Sequence, residues 1–121
     1  MSEPKLQIHT KRVYEPASRA DGTRLLADRL WPRGVTKAAA KIDEWLKDIA
    51  PSPELRKWFG HDPAKWEEFQ RRYRAELGAH EVELARLRQL ARQGRVTLVY
   101  AARDDKHNSA SVLRDVLLAG Q

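Results

Sequence analysis

The sequence predicts an α/β fold: a single three-layer domain over residues 1–121, with a small, mostly parallel sheet flanked by helices. Strand-like segments lie early and late in the chain, and amphipathic helical segments lie between and after them. A length of 121 residues is close to the usual size of one domain, and a hydrophobic content of 41% suffices for one core. No internal repeat or low-complexity segment interrupts this order.

Two strands are expected in the first third of the chain. Residues 6–14 alternate loosely and contain β-branched and aromatic side chains, which favours a strand. Residues 16–22 collect Pro, Ser, Asp and Gly, which are typical of turns. Residues 23–31 return to a strand pattern. Because Pro32 lacks an amide hydrogen and Gly34 tolerates positive φ, we expect this second strand to end in the sequence WPRG.

Residues 42–49 follow a short helix that is expected over residues 38–40, with Thr36 as its cap. Two patterns compete in this segment. Its residues alternate as they would in a strand, but four apolar residues also form a helical stripe. The periodicity alone favours a helix. The stripe consists of Ile42, Trp45, Leu46 and Ile49.

Two helices in the middle of the chain are expected to begin at proline. Ser52 and Pro53 form a cap and first-turn pair for a helix that runs to Phe59. Asp62 and Pro63 repeat this device. The helix that they open has apolar residues at three- to four-residue spacing, so one of its faces is expected to be buried. These residues are Trp66, Phe69, Tyr73 and Leu77, and Gly78 then interrupts the helix.

The last third of the chain predicts a helix, a strand and a helix. Residues 81–93 carry an apolar stripe and end at Gly94. Residues 95–102 are almost continuously apolar, as in a strand covered on both faces. Asn108 and Ser109 can cap the last helix. The residues expected to face the core are Val82, Leu84, Ala85, Leu87, Leu90 and Ala91, followed by Val112, Leu113, Val116 and Leu117.

Composition limits the class of protein. There is no cysteine, which excludes disulfides and thiolate chemistry, and no apolar run approaches the ~20 residues of a membrane span. We therefore expect a cytoplasmic protein without a membrane partner, a metal or a cofactor. The net charge is +6, and residues 1–40 hold eight Lys and Arg against four Asp and Glu. A local anionic ligand explains this excess as well as a nucleic acid does.

The strongest candidate site lies where the last predicted strand passes into the last helix. In open α/β sheets, ligands bind beyond the carboxyl ends of the strands, where a helix N-terminus attracts anions. Arg103, Lys106, His107, Asn108 and Ser109 all fall there. The alternative is a solvated turn in which Asn108 only caps the helix.

The sequence DRLWPRG forms a second candidate. On a strand, Asp28 would face opposite to Arg29, so one charged side chain would point toward a covered face. Arg29 and Arg33 have the geometry to bind a phosphate or carboxylate. The alternatives are a structural ion pair and arginines stacked on Trp31 and Trp45.

A third candidate, His61 beside Asp62, is better explained by structure, because Asp62 already serves as a helix cap. The four histidines show no spacing typical of a metal site.

Four stretches of the chain resemble the family named domain of unknown function 488, in its short, YeaO-like branch. They are RVYEP at 12–16, DRLWPRG at 28–34, DEWLKDIAPSPELRKWFGHDP at 43–63 and VTLVYAARDDKHNSASVL at 96–113. The resemblance implies a bacterial, single-domain α/β protein and a strand within residues 42–49. Longer members carry cysteines near the last strand, but Tyr100 and residues 106–109 stand in that region here, so thiol chemistry does not carry over.

Three functions are consistent with this sequence, and it leaves open whether the domain is an enzyme. The leading hypothesis is binding of a small anionic ligand, such as a nucleotide or phosphorylated metabolite, by Arg29, Arg33, Arg103 and the amides of Asn108 and Ser109; in an enzyme, His107 or Asp28 would be the acid–base group. The second is nucleic-acid binding. The third is a partner-binding scaffold with an exposed apolar patch around Trp58 and Phe59.

Overall fold

The structure is a computed structural model that describes residues 6–120, and its strands form one four-stranded sheet in the order β1-β4-β2-β3. The strands are β1 (Ile8–Arg12), β2 (Thr23–Leu26), β3 (Glu44–Trp45) and β4 (Val96–Tyr100). All neighbouring strands in this part of the chain pair in parallel. The predicted α/β fold with a small, mostly parallel sheet is therefore confirmed.

The central strand β4 sets the register of the sheet. Ile8 and Thr23 both lie opposite Val96, so β1 and β2 begin level with β4 on its two sides. Because the three strands are parallel, their carboxyl ends meet at one edge of the sheet. The loops that leave β1, β2 and β4 consequently start side by side.

Helices and short turns connect the strands. The helices within residues 6–120 are α1 (Lys37–Ala40), α2 (Pro53–Phe59), α3 (Trp66–Leu77), α4 (Glu81–Gln93) and α5 (Ser109–Ala119), with 3₁₀ turns at Arg19–Asp21, Lys47–Ile49 and Pro63–Lys65. The predicted caps are confirmed: Thr36, Ser52 and Asn108 cap α1, α2 and α5, and Asp62 caps the turn before α3. None of these helices is long and apolar enough to cross a membrane.

The core has two unequal parts, one on each face of the sheet. Leu98 faces a large apolar cluster to which α2, α3, α4 and α5 all contribute, including Tyr73 and Leu113. The next residue, Val99, points to the opposite face. There it meets a small cluster with Val13 and Ala40. The domain is therefore three-layered, but its third layer consists only of α1 and loops.

The second strand is shorter than predicted. β2 ends at Leu26, not at Trp31, and residues 28–30 form a bend. The last ladder bond on this side runs from the Ala27 amide to the Val99 carbonyl, at 2.9 Å. Beyond it, the Asp28 carboxylate accepts the amide of Ala101, which would otherwise continue the pairing. The expectation that Asp28 and Arg29 alternate across a strand was therefore wrong.

Residues 42–49 do not form the helix that their periodicity favours. They form the two-residue strand β3 and a 3₁₀ turn. The amides of Asp43 and Leu46 instead donate to the carbonyls of Arg24 and Leu26 at 2.8 Å, which ties this segment to β2. The strand implied by the family resemblance is thus present, although it is short.

Two expectations about apolar surface also fail. Val82 is 86% exposed and Ala85 is exposed, so the buried face of α4 is narrower than predicted. Phe59 is buried, and the Trp58 ring is covered by the Arg72 guanidinium at 4.1 Å and the Lys65 ammonium at 5.2 Å. Trp58 and Phe59 therefore do not form an exposed apolar patch.

Candidate functional site

A cavity of about 690 Å³ lies at the carboxyl ends of β1, β2 and β4. Its wall is formed by Tyr14 after β1, residues 28–33 without Arg29, parts of residues 101–109, and side chains from α2 and α3. We call it the strand-end cavity. Its volume lies within the roughly 300–1,000 Å³ of small-molecule sites, and its position is the one at which open α/β sheets bind ligands.

The loop after β2 is held against the cavity by three side chains. The Trp45 indole nitrogen donates to the Asp28 carbonyl at 2.7 Å, and the Trp31 indole nitrogen donates to the Val35 carbonyl at 2.7 Å. On the other side, the Tyr14 hydroxyl donates to the Arg33 carbonyl at 3.0 Å. The loop is therefore fixed before any ligand binds, which lowers the entropy lost on binding.

Arg29 does not line the strand-end cavity. Its guanidinium donates to the carbonyls of Pro51 at 2.9 Å and Ala50 at 3.1 Å. It makes neither an ion pair with Asp28 nor a stack on Trp31. Since Pro51 itself lines the cavity, Arg29 acts on the site by positioning its wall.

Asp28 supplies a carboxylate to the cavity. Its Oδ2 accepts the Ala101 amide at 2.8 Å, and its Oδ1 accepts the Ser109 hydroxyl at 3.3 Å. Burial raises the pKa of Asp28 above the ordinary value of 3.8, because the charged form loses hydration. The two hydrogen bonds and the nearby His61 lower the pKa but do not offset the burial.

The loop after β4 is organised by Asp104. Its Oδ1 accepts the amides of Lys106 at 2.9 Å and His107 at 3.0 Å, and its Oδ2 lies 2.8 Å from His107 Nδ1. The hydrogen bond from the Lys106 amide, together with those from His107, lowers the pKa of Asp104 to about 2. The buried Asn108 side chain caps α5 and donates to the Asp104 carbonyl at 3.0 Å.

His107 stays outside the cavity wall. Its ring is held by Asp104 on one side and meets the Trp66 ring edge-on, with centroids 5.0 Å apart. His107, one of the two acid–base candidates of the sequence, therefore fixes the loop and does not line the cavity.

Three arginines line the cavity, and their side chains have no partner in the described part of the chain. They are Arg33 from the loop after β2, Arg56 from α2 and Arg103 from the loop after β4. All three are exposed, and none of their guanidinium groups makes a hydrogen bond, ion pair or aromatic stack within residues 6–120. Arg24 and Arg88, in contrast, donate to backbone carbonyls. The two basic clusters of the sequence thus meet, and Arg56 joins them.

Aromatic side chains and His61 complete the wall. Phe59 and Phe69 stack with centroids 4.3 Å apart, and both line the cavity together with Trp31. His61 also lines it and adopts a left-handed φ of 57°, which is uncommon outside glycine and is enriched at functional sites. Sequence reasoning assigned His61 a structural role because Asp62 explained the motif, and it did not single out Arg56.

Of the seven residues that the sequence assigned to anion binding or acid–base chemistry, five line the cavity and two do not. Arg29 and His107 are absent from the wall, as is Lys106 from the same loop. The residues that line the cavity are Asp28, Arg33, Arg103, Asn108 and Ser109. Residues 6–120 contain no group of three potential metal-binding side chains.

Asp28→Asn is expected to stabilise the domain at about pH 7. The folded state holds the Asp28 proton more tightly than the unfolded chain, so stability falls as pH rises from the ordinary value of 3.8 through the raised pKa. Asparagine removes this cost and can still accept the Ala101 amide. Thermal unfolding is expected to show a gain of a few degrees near pH 7 that shrinks below about pH 4. Asp48→Asn, at an exposed position, is the control, and an equal gain for both variants would contradict this account.

Similar sequences occur in bacteria. The chain is 46% identical over 112 residues to uncharacterized protein YeaO of Escherichia coli (strain K12), covering 93% of this chain and 97% of that protein. It is 42% identical over 112 residues to uncharacterized proteins Mb3100c of Mycobacterium bovis and Rv3073c of Mycobacterium tuberculosis, covering 92% of this chain and 93% of each. No solved structure matches the chain.

A family model described as "Inactive DUF488-N3 subclade" matches residues 7–120. This match extends over nearly the whole chain, and it agrees with the motifs at residues 12–16, 28–34, 43–63 and 96–113. The chain therefore belongs to the family of domain of unknown function 488, in the subclade described as inactive.

Proposed function

We propose that this domain binds a small anionic ligand, a nucleotide or phosphorylated metabolite, in the strand-end cavity. Arg33 and Arg103 bind the anion, and Arg56 adds a third positive charge. The backbone amides of Asn108 and Ser109, at the start of α5, donate hydrogen bonds to the same anion. The observation that carries the proposal is the set of three guanidinium groups that line one cavity and have no partner among residues 6–120.

The three arginines come from different parts of the fold, which supports a shared ligand. Arg33 follows β2, Arg56 lies in α2, and Arg103 follows β4. Like charges around one cavity repel each other, and an anion between them removes this repulsion. Each charge-assisted hydrogen bond to phosphate contributes roughly 1.5–3 kcal/mol, and guanidinium groups bind phosphate oxygens in pairs.

Arg29 and His107 act indirectly in this proposal. Arg29 holds the Ala50 and Pro51 carbonyls, and so fixes the wall opposite the β4 loop. His107, bound to Asp104, fixes the loop that carries Arg103. Both are positioning residues, and Arg29 is no longer a direct ligand of the anion.

Binding without turnover is favoured over catalysis. The subclade is described as inactive, and the chain has no cysteine for thiol chemistry. His107 does not line the cavity, which leaves Asp28 as the one of the two acid–base candidates named from the sequence that lies in its wall.

The proposal is tested by calorimetric titration with adenosine 5′-monophosphate and with inorganic phosphate. The double variant Arg33→Gln/Arg103→Gln is expected to bind adenosine 5′-monophosphate more weakly by about a hundredfold or more, since two charge-assisted contacts are lost. Circular dichroism and thermal unfolding should remain unchanged, because neither guanidinium supports the fold.

The matched control is Arg71→Gln/Arg74→Gln, which removes the same charge from the exposed face of α3. It is expected to retain the affinity of the unmodified protein. Equal losses in both double variants would indicate a general charge effect, and binding that survives Arg33→Gln/Arg103→Gln would place the ligand elsewhere.

A further inference from the structure

The Asp28 carboxylate lines the strand-end cavity, and the proposed function does not use it. It shares the cavity with Arg33, Arg56 and Arg103, yet within residues 6–120 it forms no ion pair with any of them. Its partners are the neutral Ala101 amide at 2.8 Å and the Ser109 hydroxyl at 3.3 Å. Because opposite charges in one cavity would form an ion pair if they could touch, the three guanidinium groups lie too far from the Asp28 carboxylate to do so.

The charges of the cavity are therefore separated in space. Asp28 is partly buried, next to β4 and the start of α5, whereas the three arginines are exposed around the cavity. A ligand that consists of an anion alone would bind the arginines and would offer Asp28 no hydrogen-bond donor in addition to Ala101 and Ser109. It would also bring a second negative charge toward a carboxylate that burial already disfavours.

Much of the wall of this cavity is aromatic and apolar. Phe59 and Phe69 stack there, and Trp31, Leu30 and Pro51 add further apolar wall. A flat ring gains contact area on such a wall without needing polar partners on its faces. The volume of about 690 Å³ accommodates a ring together with a sugar and one phosphate.

We propose that the ligand is a nucleoside monophosphate whose base donates an N–H hydrogen bond to Asp28 while its phosphate binds the arginines. This inference rests on the proposed function and narrows its ligand class from nucleotides and phosphorylated metabolites to nucleoside monophosphates. Each carboxylate oxygen of Asp28 has one hydrogen-bond partner in the protein and a second lone pair that remains for a donor. Guanine presents a ring N–H and an amino group side by side, which match a carboxylate with two such oxygens.

Asp28 is a specificity determinant in this arrangement. It accepts hydrogen bonds only, so it favours bases with a donor edge and discriminates against phosphates that lack a base. A sugar phosphate would occupy the arginines while it leaves a partly buried carboxylate without a new partner. The hydration that the Asp28 carboxylate loses on burial is compensated only by a ligand that donates a hydrogen bond to it. A ligand without a donor leaves the carboxylate uncompensated and therefore binds more weakly.

The test compares guanosine 5′-monophosphate with ribose 5-phosphate, which has the same phosphate and sugar but no base. Calorimetric titration of the full chain is expected to show a preference of about tenfold or more for guanosine 5′-monophosphate. In Asp28→Asn this preference is expected to fall at least tenfold, while the affinity for ribose 5-phosphate stays the same or rises. Asp48→Asn is the control, and thermal unfolding shows whether each variant is folded.

The outcomes separate this inference from the proposed function. If ribose 5-phosphate binds as tightly as guanosine 5′-monophosphate, or if Asp28→Asn keeps the preference, the cavity binds anions and the nucleotide inference is wrong. If neither compound binds the unmodified protein, both are wrong. A preference that is lost in Asp28→Asn and kept in Asp48→Asn supports both.

Discussion

Asp21→Ala is expected to destabilise the domain by about 3–5 kcal/mol, because it leaves a buried guanidinium without its counter-charge. Asp21 Oδ2 lies 2.7 Å from Arg24 Nη1, and its Oδ1 lies 3.1 Å from Lys11 Nζ. Arg24 is only 4% exposed, and its other nitrogens donate to the Ala40 carbonyl. Without the carboxylate, this carbonyl is the one acceptor that remains for Arg24 within residues 6–120.

Chemical denaturation of two further variants separates the contributions. Asp21→Asn keeps the shape and an acceptor for the Ser18 amide but removes the charge, so it is expected to cost less than Asp21→Ala. Glu68→Ala breaks pairs with Arg71 and Arg72 that are solvent-exposed, and it is expected to cost less than about 1 kcal/mol. A cost for Asp21→Ala as small as that of Glu68→Ala would show that the buried charge is not stabilised by this pair.

The position of this ion cluster explains how a thin layer can cover one face of the sheet. Lys11 lies on β1, Arg24 on β2, and Asp21 in the turn before β2. Their charged groups meet on the face where the apolar cluster is small, with Val13, Ala40 and Val99 at its centre. The carbonyl of Ala40 at the end of α1 joins the same network through Arg24. On this face of the sheet, where little apolar surface is buried, polar contacts therefore hold the strands and α1 together.

Local signals in the sequence were sufficient for much of the fold. The Ser–Pro and Asp–Pro pairs mark helix starts because the cap and the fixed φ act within one turn of chain. Ser52 and Asp62 accept amide bonds as predicted, and α4 spans the predicted residues 81–93. The apolar run of β4 indicates a strand covered on both faces, and all five of its residues are buried.

Contacts between distant segments decided the rest. β2 stops early because Asp28 binds the amide of Ala101, which lies 73 residues away. Residues 42–49 lose their helical pattern because β2 offers carbonyls to Asp43 and Leu46. Neither partner can be identified from the local pattern, since the pattern contains no information on which strand will lie alongside.

The candidate site shows the same division. The rule that ligands bind beyond strand ends predicted a candidate site at the end of β4. The sequence left open whether its two basic clusters meet, and the structure places Asp28, Arg33 and Arg103 in the wall of one cavity. The rule could not show that Arg29 would donate to the carbonyls of Ala50 and Pro51. Those carbonyls lie in the segment between β3 and α2, and the strand-end rule says nothing about where that segment runs. His61 and Arg56 were missed for a related reason, since α2 and its C-terminal turn approach the cavity from the helical layer.

Gly22→Ala is expected to cost about 2–4 kcal/mol and to disturb the strand-end cavity from the opposite end of the sheet. Gly22 has a φ of +66°, and a Cβ there would lie 2.1 Å from the Arg95 carbonyl oxygen. That carbonyl accepts the Thr23 amide at 3.0 Å, the first bond between β2 and the β4 segment. Because the added Cβ would clash with backbone atoms and not with a flexible side chain, the clash can be removed only if β2 shifts relative to β4.

Two other glycines make the measurement decisive. Gly34 also has a positive φ, +72°, but an added Cβ would meet nothing within 4 Å; Gly94 has an extended φ and equally open surroundings. We expect Gly34→Ala to cost about 1 kcal/mol from backbone strain and Gly94→Ala to be close to neutral in chemical denaturation. Equal costs for Gly22→Ala and Gly34→Ala would mean that β2 and β4 adjust freely, whereas the expected excess at Gly22 would mean that their register is rigid. A rigid register, in turn, is what holds Asp28 within 2.8 Å of the Ala101 amide and keeps the two loops of the cavity together.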